Sequence, residues 1–266
     1  MAHPYFDVPV PTVLGHRGAA GDAPENTLAS FALGLELGAH ILESDVHATR
    51  DGVPVLVHDP DVGRIAGRPA RVVDLDWAEL RTLDASADFA GDLDAIPQTF
   101  RPFRIPTLEE AFEAFPGARF NLEIKCDAPG LVERVVELVG AHGRAPLTLL
   151  AAERDERMAR IQAEVDRRGV DVALGAALGD VLEFVRTALA GTAPQSRAMA
   201  LQIPVDFGGR PFVTRELVEH AHAHGRFVHA WTVNDEDEMR RLLALGVDGI
   251  VTDRPGVMAA LLRAAR

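Results

Sequence analysis

Ile41-Leu42-Glu43-Ser44-Asp45-Val46, followed after a turn by Val55-Leu56-Val57-His58-Asp59, is the stretch on which the reading of this chain depends. Ile41, Leu42 and Val46 give a buried strand, and residues two apart in a strand point the same way, so Glu43 and Asp45 share a face. Two carboxylates on one inward face repel unless a cation lies between them. Only six residues, His47 to Gly52, separate Val46 from the next apolar run. A parallel crossover needs about a dozen, and Asp51-Gly52 is a hairpin turn signal. The chain therefore doubles back antiparallel and brings His58 to the end of the strand that carries Glu43 and Asp45. Upstream, Val13-Leu14-Gly15-His16-Arg17-Gly18 is a second apolar run ending in histidine.

The 266 residues are 47% hydrophobic and 25% charged, enough for one large core, and a single (β/α) barrel is about this long. One domain is the expectation. A net charge of −13 disfavours nucleic acid or an anionic membrane as the main partner, because phosphate binding at a surface runs on Lys and Arg. Cys126 is the only cysteine, so no internal disulfide forms. No apolar run approaches the length of a membrane span, and residues 1–12 hold no basic stretch followed by an apolar one. A cytoplasmic enzyme or binding protein without membrane insertion is expected; composition does not report its oligomeric state.

From the first run onward, strand and helix alternate. Leu28, Phe31, Ala32 and Leu35 fall at helical spacing before Gly38, and Thr107-Leu108-Glu109-Glu110 is a capping box. Residues 59–104, rich in Gly, Pro, Asp and Arg with one helical piece around Trp77 to Leu83, read as an insertion. Helices are expected over 129–142, 153–168, 179–190, 214–224, 235–245 and 255–265. Eight strands that could run parallel begin near residues 13, 41, 120, 147, 170, 198, 226 and 247, with the hairpin strand 53–57 as an extra. Eight points to a closed (β/α)8 TIM-type barrel. An open doubly wound sheet is the rival, but no Gly-x-Gly-x-x-Gly turn follows the first strand.

In such a barrel the reactive groups sit at the C-terminal strand ends, and polar residues gather there: His16-Arg17, Glu43-Asp45, Glu123-Lys125, Trp231 to Asn234, and Thr252-Asp253. Glu123 and Lys125 flank Ile124, so both face the interior beside Glu43 and Asp45. Lys125 is the only lysine in a chain with 26 arginines. That points to a need for a compact ammonium with three donors instead of a planar fork. Three acids against two bases leave the charge one short, and an all-oxygen set suits a hard divalent ion, Mg²⁺ or Ca²⁺. His16 and His58, beside those carboxylates, fit a general acid and base. His220, His222 and His224 lie on one surface helix with no acidic partner evident and read as solvated. His47 falls in the hairpin turn, and His229 shares a strand face with Phe227 and Trp231; either could line the site or pack nearby.

These residues resemble the glycerophosphodiester phosphodiesterase family. The resemblance rests on His16-Arg17-Gly18, Pro24-Glu25-Asn26-Thr27, Glu43-Ser44-Asp45-Val46, Thr49-Arg50-Asp51-Gly52-Val53-Pro54-Val55, His58-Asp59, Ile105-Pro106-Thr107-Leu108, Glu123-Ile124-Lys125, Trp231-Thr232-Val233-Asn234 and the run Gly246 to Pro255, in family order across nearly the whole chain. It implies a TIM-type barrel with a small inserted subdomain that partly walls the pocket, and hydrolysis of a small-molecule glycerophosphodiester to glycerol 3-phosphate and an alcohol. By match, Glu43, Asp45 and Glu123 resemble the ligands of one divalent cation, Mg²⁺, Ca²⁺ or Mn²⁺. His16 and His58 resemble the acid/base pair, Arg17 and Lys125 the phosphate contacts, and Trp231 the aromatic beside the glycerol. Which histidine is acid, and whether water or the substrate's own hydroxyl attacks, stays open. Where the family usually has a Ser-Phe pair after the fourth barrel strand, this chain has Leu149-Leu150-Ala151-Ala152-Glu153, which alters the pocket wall and leaves the alcohol group undetermined.

Three rival readings share much of this machinery. A lysophospholipase D would use the same metal and histidines with a greasier pocket, which the charged character of 60–104 does not favour. A carbon-carbon lyase needs Mg²⁺ on acidic strand ends but has less use for two histidines. A non-catalytic glycerophosphodiester-binding barrel would have no need of His16 and His58.

Overall fold

The computed structural model describes residues 3–264. Strands run in the order β1 (Thr12–Gly15), β2 (Ile41–Ala48), β3 (Pro54–Leu56), β4 (Arg119–Ile124), β5 (Thr148–Ala151), β6 (Ala173–Leu174), β7 (Ala200–Pro204), β8 (Asp206–Phe207), β9 (Arg210–Pro211), β10 (Phe227–Trp231) and β11 (Gly249–Thr252). Eight of them pair in parallel in the order β6-β5-β4-β2-β1-β11-β10-β7, and a bridge between Gly175 and Ala200 brings the two ends together. The result is a nearly closed (β/α)8 barrel. Its helices lie where the periodicity places them, at Leu28–Glu36, Leu108–Ala114, Leu131–Ala141, Asp155–Arg168, Leu178–Ala190, Arg215–Ala223, Glu236–Leu245 and Pro255–Ala264. The expected end of the last helix at residue 265 lies outside the described residues.

Side chains alternate across each strand, so one set packs under the helices and the other fills the barrel. Leu42, Val46, Phe120, Leu122 and Ile124 belong to the outer layer, as do Leu201, Ile203, Val228 and Ile250 on the opposite side. Leu14, Ile41, Leu149, Ala173, Ala200 and Val251 form the inner one. An element absent from the sequence-based expectation joins them. Pro4–Phe6 is a short 3-10 turn whose Tyr5 and Phe6 are buried among the inner residues, with the Phe6 ring stacked on Phe227 at 4.1 Å.

The doubling back after β2 occurs as the spacing requires. Val46, His47 and Ala48 pair antiparallel with Leu56, Val55 and Pro54, and Gly52 in the turn has φ +80°. His47 belongs to β2 itself and not to the turn, because the strand extends through Ala48. Residues 59–104 hold several short helical pieces in place of the single one expected: Gly63–Ala66, Val72–Asp74, Trp77–Leu80, Leu93–Ala95 and Gln98–Phe100. Their apolar residues Val62, Ile65, Val72, Leu75 and Leu80 pack with Val55, Val57 and Ile105. The β8–β9 hairpin was likewise unexpected, although Gly208 and Gly209, both at positive φ, carry its turn. No helix among the described residues is long and apolar enough to cross a membrane.

Candidate active site

His16 follows β1 directly. Its backbone N–H donates to the Thr252 carbonyl oxygen at 2.9 Å, and its Nδ1 meets Asp253 Oδ1 at 2.5 Å. Asp253 is itself braced by Asn234, whose Nδ2 donates to Asp253 Oδ2 while its Oδ1 accepts from the Asp253 N–H and the Thr252 hydroxyl. With Nδ1 engaged, Nε2 is the atom His16 presents to the site, 4.0 Å from Glu43 Oε2. Burial alone would lower the pKa of this imidazole; the hydrogen bond to Asp253 and the charge of Glu43 outweigh it and raise it.

The second histidine is built the same way. The Val57 N–H donates to the Asp45 carbonyl oxygen at 3.0 Å, locking the hairpin to β2, and His58 Nδ1 meets Asp59 Oδ1 at 2.8 Å. Each histidine thus has its Nδ1 engaged by an aspartate, which leaves Nε2 as the ring nitrogen available for proton transfer. Such a pairing fixes the tautomer and the ring orientation. His47 is buried in β2, its Nε2 3.1 Å from the His58 carbonyl oxygen. Burial lowers its pKa, and the charges of Asp45, Lys125 and His58 all reach its ring. It follows Asp45 by two residues on β2 and so shares its face.

The expected charged residues do converge. Asp45 faces Glu123 across the β2–β4 register. Lys125 Nζ lies 3.1 Å from Glu123 Oε2 and 3.5 Å from Asp45 Oδ1. Arg17, at φ +49°, donates its backbone N–H to Glu43 Oε2 at 3.1 Å and places Nε 3.5 Å from Asp45 Oδ2. Asn26, at φ +54°, holds Asp45 Oδ2 through its Nδ2 at 3.2 Å and accepts from the Ser44 hydroxyl. A non-glycine residue in this backbone region is uncommon, asparagine being among the residues that adopt it most readily.

The electrostatics record an excess of negative charge. Glu43 is raised to about 7, by burial first and then by the charge of Asp45. Glu123 is raised by burial, against the pull of Lys125, with Asp45 and Glu153 adding to the rise. Lys125 is raised because Glu123 and Asp45 more than offset its burial. Among the described residues no three His, Cys, Asp or Glu side chains stand close enough to enclose a metal ion; the Lys125 ammonium is the cation between Asp45 and Glu123. The donor set nevertheless fits a hard divalent ion, being all oxygen, largely buried and short of positive charge.

Trp231 ends β10 beside Pro204 and is 44% exposed, so it stands at the rim. His229, two residues earlier, is fully buried and carries no hydrogen bond on Nδ1; it packs and does not line the site. The surface-helix histidines need a correction. His222 Nε2 meets Asp248 Oδ2 at 2.8 Å and His220 Nε2 meets the Thr187 hydroxyl at 3.0 Å, partners from other elements that sequence spacing could not reveal. Of the stretch Leu149 to Glu153, the first three residues lie within β5; Ala151 is buried in the inner layer and Ala152 in the outer one.

Residues 16–257 match the glycerophosphoryl diester phosphodiesterase family. This chain belongs to that family. A Mycobacterium tuberculosis relative named "Probable glycerophosphodiester phosphodiesterase 2" is 33% identical, the match covering 94% of this chain and 89% of that one. Human lysophospholipase D GDPD1 is 29% identical over 91% of this chain and 83% of that one. An Oleispira antarctica phosphodiesterase, solved with the product sn-glycerol-3-phosphate, is 26% identical and superposes with a TM-score of 0.75 over 96% of this chain and 97% of that one. Glycerophosphodiester phosphodiesterases thus share the barrel on which His16, His58 and the acidic cluster are mounted.

Proposed function

We propose that the protein hydrolyses glycerophosphodiesters to glycerol 3-phosphate and an alcohol, with His16 and His58 as general acid and base and one divalent cation, Mg²⁺, Ca²⁺ or Mn²⁺, as cofactor. The observation that carries this reading is the pair of histidines, each with an aspartate on its Nδ1, at the ends of strands whose neighbours carry the acidic cluster. A phosphodiester is an anion, and the cluster is already short of positive charge; an added cation makes it able to accept one. Glu43, Asp45 and Glu123 would hold that ion, which when bound supplies positive charge against the nonbridging oxygens as they become more negative.

The chain's own residues supply the rest. Arg17 and Lys125 give fixed donors to the phosphate, worth most where charge develops in the transition state. The raised pKa of His16 favours its protonated form, which supports it as the acid that gives its Nε2 proton to the leaving alcohol oxygen. His58 accepts at Nε2 the proton of the attacking oxygen, from water or from the substrate's own hydroxyl, as its bond to phosphorus forms and the bond to the alcohol oxygen breaks, with Asp59 holding the ring. Attack by the substrate hydroxyl gives a cyclic phosphate that water opens in a second step to glycerol 3-phosphate. Trp231 at the rim would pack against the glycerol.

Lysophospholipids make a second reading, favoured by the human relative's name and by Phe207, 75% exposed and three residues beyond the Pro204 that pairs with Trp231. The test is release of glycerol 3-phosphate from glycerophosphocholine by EDTA-stripped protein, before and after adding each cation. Metal-dependent release is expected, with His16→Ala and His58→Ala each lowering kcat about 10²- to 10⁴-fold. Full activity after stripping would remove the metal from the mechanism, and wild-type rates in both variants would remove the histidines. Turnover confined to lysophospholipids would select the second reading.

A further inference from the structure

We propose that Arg64, carried by the insertion, is a positioning residue that sets the geometry of both His58 and Arg17, which makes the insertion a working part of the site. Arg64 Nε donates to Asp59 Oδ2 at 2.6 Å, while the other oxygen of Asp59 takes His58 Nδ1. The Nη1 and Nη2 groups of Arg64 grip Glu25, at 3.0 and 2.7 Å, and Glu25 Oε1 also accepts Arg17 Nη1 at 3.0 Å. A continuous chain therefore runs His58, Asp59, Arg64, Glu25, Arg17. It joins the imidazole of the hairpin to the guanidinium that follows β1.

A surface ion pair of two long side chains would carry little weight. Arg64 differs in three respects. It binds through the edges of a planar fork, which an ammonium cannot imitate. Glu25, its bidentate partner, is largely buried. Glu25 and Asp59 in turn each hold a side chain of the site, Arg17 and His58. Burial would raise the pKa of Asp59, and the hydrogen bonds from His58 and Arg64 lower it instead, so Asp59 stays ionised behind the imidazole. The backbone is anchored for the task. Arg64 lies on Gly63–Ala66 between the buried Val62 and Ile65, and the Ala87 N–H donates to the Ile65 carbonyl oxygen at 2.9 Å. That contact delivers Asp88 as a further partner of Arg64 Nη1. Removing Arg64 leaves Glu25, Asp59 and Asp88 facing one another without their shared cation.

This inference rests on the proposed diesterase reading, and its test includes a readout independent of turnover. Arg64→Met keeps an unbranched apolar stem and removes the fork. Its kcat on glycerophosphocholine is expected to fall about 10- to 100-fold at a temperature where circular dichroism shows the variant fully folded, its thermal midpoint being lowered by the loss of the cation that Glu25, Asp59 and Asp88 share. Arg64→Lys should recover only part of the loss, and added guanidinium should rescue the Met variant in part. In ¹⁵N spectra of the ring nitrogens, His58 should show Nδ1 protonated and slowly exchanging in the wild type, and lose that signature in Arg64→Met. A kcat within twofold of wild type, a loss matched by the unfolded fraction, or an unchanged His58 signature would overturn the proposal. A wild type inert toward every diester would overturn the functional reading alone, because the His58 resonances still decide the role of Arg64.

Discussion

At the scale of single residues, identical side chains behave differently because their surroundings differ. His16, His47 and His229 all lie on barrel strands or at their ends, yet only His16 has its pKa raised. Burial pushes His229 down to about 4, against the opposing charge of Asp248. An unfolded histidine takes up its proton near pH 6.5. Above that pH His229 is neutral in both states and costs nothing. As pH falls from about 6.5 to 4 the unfolded chain binds a proton that the folded one refuses, so stability is lost, by about 3 kcal/mol in all. His229→Gln should flatten that part of the stability profile, measured by urea unfolding at pH 7 and pH 4.5. Equal pH dependence in variant and wild type would show that the site is wetter than its burial implies. The position of His16 and His58 at strand ends was legible from the sequence, because strand ends and motif neighbours declare themselves locally. The partners Asp253, Asn234, Asp59 and Arg64 were legible only as motif letters or not at all, because the contacts of Asp253, Asn234 and Arg64 span elements far apart in the chain.

At the scale of elements, the loop after β1 carries the tightest packing near the site. Gly18 has φ +94°, and a Cβ added there would lie within 2.6 Å of the Ser30 carbonyl group. Ser30 also holds this loop, its hydroxyl donating to the Arg17 carbonyl oxygen and accepting from the Ala19 N–H. Gly52, at φ +80° in the β2–β3 turn, has nothing within 4 Å of an added Cβ. Gly52→Ala should therefore cost only the backbone term, about 1 kcal/mol. Gly18→Ala adds a clash with backbone and should cost about 3 kcal/mol, with activity falling as Arg17 is displaced. Denaturant midpoints of the two variants check this, and equal losses would refute the packing argument. The β2–β3 hairpin was readable because a short gap and an Asp-Gly turn leave one topology open. The β8–β9 hairpin, with two residues in each strand, is too short for any periodicity to register.

At the scale of the whole molecule, the barrel is filled from one end by residues that lack any strand pattern. Tyr5 is fully buried, with no hydrogen-bond partner for its hydroxyl among the described residues. The ring therefore carries the stabilisation. Tyr5→Ala should cost about 3 kcal/mol or more and Tyr5→Phe little, since the hydroxyl forms no bond to lose. Urea midpoints for the two variants separate these outcomes, and a costly Tyr5→Phe would mean that the hydroxyl is satisfied through solvent. The sequence by itself determined the alternation of strands and helices, the eight-strand count, the β2–β3 hairpin and the strand-end residues, because each follows from spacing along the chain. Only the tertiary structure decided that Tyr5 and Phe6 pack inside the barrel, that each histidine has its aspartate, and that Arg64 joins the insertion to both sides of the site. Those contacts depend on which strands become neighbours when the barrel closes and on where the insertion comes to rest, and no local periodicity carries that information.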